Sequence, residues 1–157
     1  GILTYVYAGS ISECKTPKPM DDFSGTKFHG GIWHVTHVAN VTDPTECRTL
    51  TTSKVGEKYI VEHPFESSDG TLRCEATGEA EQKLTFTCKT GSTVTDTTIF
   101  IAMETDYEDY ALYYLCTTVK SSGDMYDNYV VARRSPSKEI PGKLKSLTKD
   151  LGLEPCS

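Results

Sequence analysis

The side chains able to do chemistry are few and scattered. Among 157 residues there are four histidines and six cysteines. His34 and His37 fall in a stretch, Phe28-His29-Gly30-Gly31-Ile32-Trp33-His34-Val35-Thr36-His37, that alternates as a strand does. A strand turns successive side chains to opposite faces, so His34 and His37 cannot share a metal ion. His63 stands alone before Pro64. The cysteines Cys14, Cys47, Cys74, Cys88, Cys116 and Cys156 include no C-x-x-C pair, which makes zinc a poor reading. No serine or cysteine has a base and an orienting group at a recognisable spacing, so no catalytic residue is assigned. Evenly numbered, dispersed cysteines read instead as a disulfide framework formed in an oxidising compartment.

Charge narrows the partners. The formal net charge is −6 and no basic run occurs. Phosphate backbones and anionic membrane surfaces both call for clustered Lys and Arg, so neither nucleic acid nor membrane is an expected partner. No apolar run approaches the ~20 residues that a membrane-spanning helix needs. Residues 1–8 are apolar and uncharged, with Val6 and Ala8 at the −3 and −1 positions of a cleavage site before Gly9. They read as the remnant of a secretory signal, or alternatively as a first strand. Residues 9–157 are long enough for one domain with one core.

The elements that must position these groups are strands. After a proline-bearing arm with a short turn near Asp21-Asp22-Phe23, alternation and turn residues predict strands over 31–38, 47–53, 58–63, 71–76, 83–89, 93–103, 110–119 and 126–133. Eight in succession favour an all-β fold, an antiparallel up-and-down barrel that leaves no edge open. Leu144, Leu147 and Leu151 recur at helical spacing after Pro141-Gly142, with Gly152 as a stop, and predict a short C-terminal helix packed outside the barrel. Cys74 and Cys88 lie equidistant from Glu81 at the centre of a hairpin turn and are expected to bridge across it. The other four cysteines allow three pairings. Asn40-Val41-Thr42 is a glycosylation sequon, with Asn40 the acceptor.

Gly31-Ile32-Trp33, Thr105-Asp106-Tyr107 and Arg134, in that order in an all-β chain, resemble the three signature regions of the lipocalins. The resemblance implies that Trp33 points inward at the base of the barrel, beneath an arginine. Arg133 and Arg134 compete for that place, and Arg134 fits the register better. Trp33-His34-Val35-Thr36-His37, the six cysteines, Asp106-Tyr107-Glu108-Asp109-Tyr110-Ala111-Leu112 and Tyr129-Val130-Val131-Ala132-Arg133-Arg134 narrow it. They resemble the triabin-type salivary lipocalins of blood-feeding triatomine bugs, with procalin-type allergens and pallidipin-type platelet inhibitors as the nearest kinds. The resemblance implies Cys14–Cys116 and Cys47–Cys156 beside Cys74–Cys88. It also implies secretion into saliva, action on host haemostasis or inflammation, and allergenicity.

Two kinds of partner follow. A barrel of this size holds one small ligand, hydrophobic or amine. If Trp33 and Arg134 point in, so do Val35 and His37, and Val130 and Ala132. In 93–103 either Ile99, Ile101 and Met103 or Phe100 and Ala102 face in. Val35, His37, Met103, Tyr113, Val130 and Ala132 are the candidate ligand contacts, against the alternative of a filled core. An amine would need a carboxylate such as Glu62 or Glu104; an eicosanoid would need a cation or hydroxyl. The other partner is a host haemostatic protein, met by the acidic, tyrosine-bearing stretch 104–110, whose plainer reading is a solvated connection. A haem or nitric oxide carrier ranks third. Nitrophorins, which are related, hold haem through a histidine, and His63 lies near that region. A lone histidine beside a proline is more often structural than an axial ligand, so no cofactor is assigned.

Overall fold

The computed structural model describes residues 10–40, 47–64, 71–78 and 82–156. Residues 1–8, read above as a signal remnant or a first strand, lie outside them, as do Val41 and Thr42 of the sequon.

The chain forms strands β1 (Ser10–Ile11), β2 (Gly31–Val38), β3 (Thr49–Val55), β4 (Lys58–Pro64), β5 (Thr71–Thr77), β6 (Leu84–Thr90), β7 (Thr93–Thr105), β8 (Tyr110–Val119), β9 (Met125–Arg133) and β10 (Glu154–Pro155). One helical turn, α1 (Gly25–Phe28), precedes β2. A 3-10 turn at Gly142–Leu144 runs into α2 (Lys145–Thr148). β2 to β9 pair in sequence, antiparallel throughout, and β9 pairs back onto β2 to close an eight-stranded barrel. The fold class read from the sequence is therefore the one formed. The two-residue strands β1 and β10 lie against β9 and β2 and are too short to leave an alternation pattern.

Strand bounds differ from the sequence reading mainly at the ends. The strand expected over 47–53 runs over Thr49–Val55, because Cys47 is drawn into a bridge with Cys156. The C-terminal helix is one turn of each kind. It buries Leu144 and Thr148 and leaves Leu147 44 % exposed, so Leu147 is not the packing residue its spacing suggested.

Among the described residues, three apolar clusters hold the molecule. The inner one runs from Phe23, Phe28 and Trp33 at the base through Val35, Leu50, Phe86, Phe100 and Tyr113. Two outer ones sit on the far faces of β7, β8 and β9. Ile99, Ile101, Tyr114, Cys116 and Tyr129 are covered by the N-terminal arm at Ile11 and Cys14. Leu112, Val131 and Tyr110 are covered by Leu144, Leu151 and Leu153. These strands are apolar on both faces because both faces are buried.

Candidate functional site

The base is built first. Gly31 takes φ +90°, a left-handed backbone that only glycine adopts without strain, and this turns the chain into β2. Trp33 then points inward, fully buried, and its Nε1–H donates to the Phe28 carbonyl at 3.0 Å. The Phe28 ring stacks on the indole at 4.9 Å. Arg134 closes the floor, its guanidinium 3.8 Å from the indole centroid. It donates to the carbonyls of Tyr107, Ile32 and Phe28 at 3.0, 3.1 and 3.3 Å. Arg133 points elsewhere, paired with Asp109.

Thr105-Asp106-Tyr107 makes the turn that presents the Tyr107 carbonyl to Arg134. Asp106 accepts from the backbone N–H groups of Glu108, Asp109 and Tyr110. Thr105 Oγ1 donates to the Tyr110 carbonyl at 2.6 Å and accepts from Tyr107 N–H. The Tyr107 hydroxyl accepts from Ser24 N–H, which pins the arm beneath the base. Much of the acidic stretch is thus consumed by the turn: Asp106 caps it and Asp109 pairs with Arg133.

Above this floor lies a cavity of about 340 Å³. Phe28, Phe86, Phe100 and Tyr113 wall it, with Val35, Leu50, Val61, Leu72 and Leu115. The Cys74–Cys88 bridge joins directly opposed residues of β5 and β6 and forms part of the same wall. The remaining bridges are Cys14–Cys116 and Cys47–Cys156. Toward the far end, where β6 turns into β7, the lining becomes polar: Thr90, Thr95, Asp96, Thr98 and Thr117. A bulge at Thr95 sets Asp96 opposite inward-facing Cys88, and Thr95 Oγ1 donates to the Asp96 carboxylate at 3.1 Å. No Lys or Arg lines the cavity among the described residues.

Of the six ligand candidates, Val35 and Tyr113 line this cavity and four do not. The β2–β9 register slips at Thr36, so Val35 opposes Ala132 while Val38, not His37, opposes Val130. His37 is thereby turned to the outer face, where it meets Thr36 Oγ1 at 2.9 Å. Burial lowers its pKa below the usual histidine value. A second bulge at Met103 puts that side chain among the outer clusters, while Phe100 and Ala102 face in. Val130 and Ala132 are fully buried in the inner cluster beside Val38 and Val35 rather than bordering space. Neither suggested carboxylate reaches the cavity. Glu62 pairs with Arg73, and Glu104 lies opposite outward-facing Leu112. Asp96 is the acid there instead. His63 lines the wall, and among the described residues no cluster of three metal-ligating side chains occurs. Asn40 follows β2, held through its backbone by Asn128.

One lining residue was passed over in the sequence. His29 is 2 % exposed, with Nδ1 bonded to the Gly25 carbonyl at 2.8 Å. Its ring stacks on Tyr59 at 4.8 Å and sits beside Phe86 and Phe100. Burial, and after it the nearby Arg134 charge, lowers its pKa to about 4 despite the bond to Gly25. The only sequence signal was its place between a buried phenylalanine and the Gly-Gly turn.

A model of the family described as Triabin matches residues 9–147. The chain belongs to the Triabin family. Its barrel is the lipocalin fold, as the three signature regions implied. Procalin of Hospesneotomae protracta is 43 % identical over 99 % of this triabin-type chain and 94 % of its own. Triafestin-2 of Triatoma infestans is 29 % identical over 89 % and 77 %. Among solved structures, the LTBP1 complex with leukotriene C4 superposes with a TM-score of 0.70 at 26 % identity, over 89 % of this chain and 91 % of that one. The tryptamine complex of the amine binding protein of Rhodnius prolixus gives 0.57 at 17 %, over 89 % and 79 %, a likeness of fold alone.

Proposed function

We propose that this triabin-type lipocalin is a secreted salivary protein that captures one small cationic mediator, a biogenic amine, in its barrel. Removing that mediator from the host would act on haemostasis or inflammation, and repeated injection would make the protein an allergen, as its likeness to Procalin suggests. The observation that carries the choice of ligand is Asp96, the one carboxylate among the described residues of the cavity wall, at its threonine-lined end above an aromatic floor. A carboxylate at hydrogen-bond reach of the ligand space favours a cationic group beside it over an anionic one. Aromatic walls suit the ring of an arylalkylamine, and a net charge of −6 draws cations toward the molecule.

The LTBP1 complex favours a second reading, an eicosanoid. An anionic head group would meet Asp96 and no lysine or arginine among the described lining residues, which weighs against it. A host protease or platelet receptor bound through outer loops draws less support, because Asp106 and Asp109 are committed to the turn.

Calorimetry with serotonin, tryptamine, leukotriene C4 and haemin tests these readings. The amines should saturate at one per chain, and Asp96→Asn should weaken them at least about tenfold. Saturation by leukotriene C4 with silent amines would transfer the function to eicosanoids. Silence from all four, with delayed clotting or aggregation, would leave the protein-binding reading.

A further inference from the structure

The Asp96 end of the cavity accounts for a cation; the floor holds a feature of its own. His29 donates through Nδ1 to the Gly25 carbonyl, which fixes the neutral ring with its hydrogen on Nδ1 and a bare lone pair on Nε2. Nε2 is buried and has no hydrogen-bond partner. The rings packed around the imidazole, those of Phe28, Tyr59, Phe86 and Phe100, leave Nε2 without a hydrogen-bond partner. Burying an acceptor unpaired is costly and rare in folded proteins, so a donor delivered to it gains that cost back.

Protonation does not relieve it. With the histidine held near pKa 4 by burial and by Arg134, the ring stays neutral at the pH of blood. The ring also cannot turn its other nitrogen inward without giving up the Gly25 bond.

We infer that His29 Nε2 is the receptor for a neutral hydrogen-bond donor at the buried tip of the ligand, a phenolic hydroxyl or a ring N–H. This rests on the cavity being the ligand site. The barrel would then read its ligand at two points: charge at Asp96 near the β6–β7 turn, and a donor at the floor. The preferred class is an aromatic amine hydroxylated on the ring, over its unhydroxylated analogue.

Neutral probes isolate the floor from Asp96. The protein should bind p-cresol on the order of tenfold more tightly than toluene, and serotonin more tightly than tryptamine by a similar factor. His29→Phe should erase both preferences, so that p-cresol binds no more tightly than toluene and serotonin no more tightly than tryptamine. Should that variant fail to fold, 15N spectra of the wild-type histidines carry the test. The unprotonated Nε2 resonance of His29 should shift on adding p-cresol and stay still with toluene. Equal affinity for the two probes, or an unmoved resonance, would overturn the role of His29 and leave the Asp96 reading standing. If the hydroxyl preference holds while amines bind no better than their neutral counterparts, the Asp96 reading falls and this one stands. Binding of neither probe would remove the cavity as a ligand site, and this inference with it.

Discussion

At the scale of single residues, the base and the cavity floor share their cations and histidines. Arg134 lies over the Trp33 indole and satisfies three carbonyls, and its charge also helps keep His29 unprotonated. That coupling has a pH consequence. In the unfolded chain His29 titrates at its ordinary value of 6.5; in the fold it takes no proton until about 4. Between those values the unfolded state binds a proton that the folded state refuses, so stability falls as pH drops through that window. Above 6.5 the effect is absent. Its full size by pH 4 is on the order of 3 kcal/mol. His37, also lowered, adds in the same direction. Urea midpoints at pH 7 and pH 4.5 should separate more for the wild type than for His29→Phe, whose phenyl ring does not titrate.

At the scale of elements, alternation together with turn residues found every barrel strand, and β2 and β8 fall where the pattern put them. What alternation could not supply was the face of each residue beyond a bulge. His37 and Met103 lie at or past a slip in the ladder, where one extra residue reverses the count. A bulge depends on the partner strand's hydrogen bonds and has no residue type of its own here. The faces of β7 were illegible for another reason. Ile99-Phe100-Ile101-Ala102-Met103 is apolar at every position because the N-terminal arm covers its outer face while the barrel interior covers the other. The two faces should separate on mutation. Met103→Ala should cost roughly 1–2 kcal/mol in urea unfolding, as a half-buried side chain does, and leave amine affinity within twofold. Phe100→Ala should cost about 3–5 kcal/mol and weaken binding too, because its ring borders the cavity.

At the scale of the whole molecule, the base was legible through the lipocalin resemblance, because its parts are short runs of adjacent residues, Gly31-Ile32-Trp33, Thr105-Asp106-Tyr107 and Arg134, that can be matched one by one. The cavity was legible only in part: the Cys74–Cys88 bridge follows from its hairpin, but Asp96 faces in only because of the bulge at Thr95, and His29 reaches the same space from the turn before β2. The three bridges divide along the same line. Cys14–Cys116 and Cys47–Cys156 join residues 102 and 109 apart; the first straps the N-terminal arm to the outer face of β8 and the second ties the C-terminal segment to the chain before β3. Cys74–Cys88 spans 14 residues and faces the ligand space. In the chain-entropy model a long bridge contributes about 4–5 kcal/mol and the short one about 3. Replacing Cys14 and Cys116 together by alanine should therefore cost more stability than replacing Cys74 and Cys88. The order reverses for function. Only the second pair removes atoms from the cavity wall, so it alone should change amine affinity, read by calorimetry at a urea-free temperature well below both melting points. Equal affinity in the two double variants would mean that the ligand does not reach the β5–β6 wall, and would confine its seat to the β7–β8 side of the barrel.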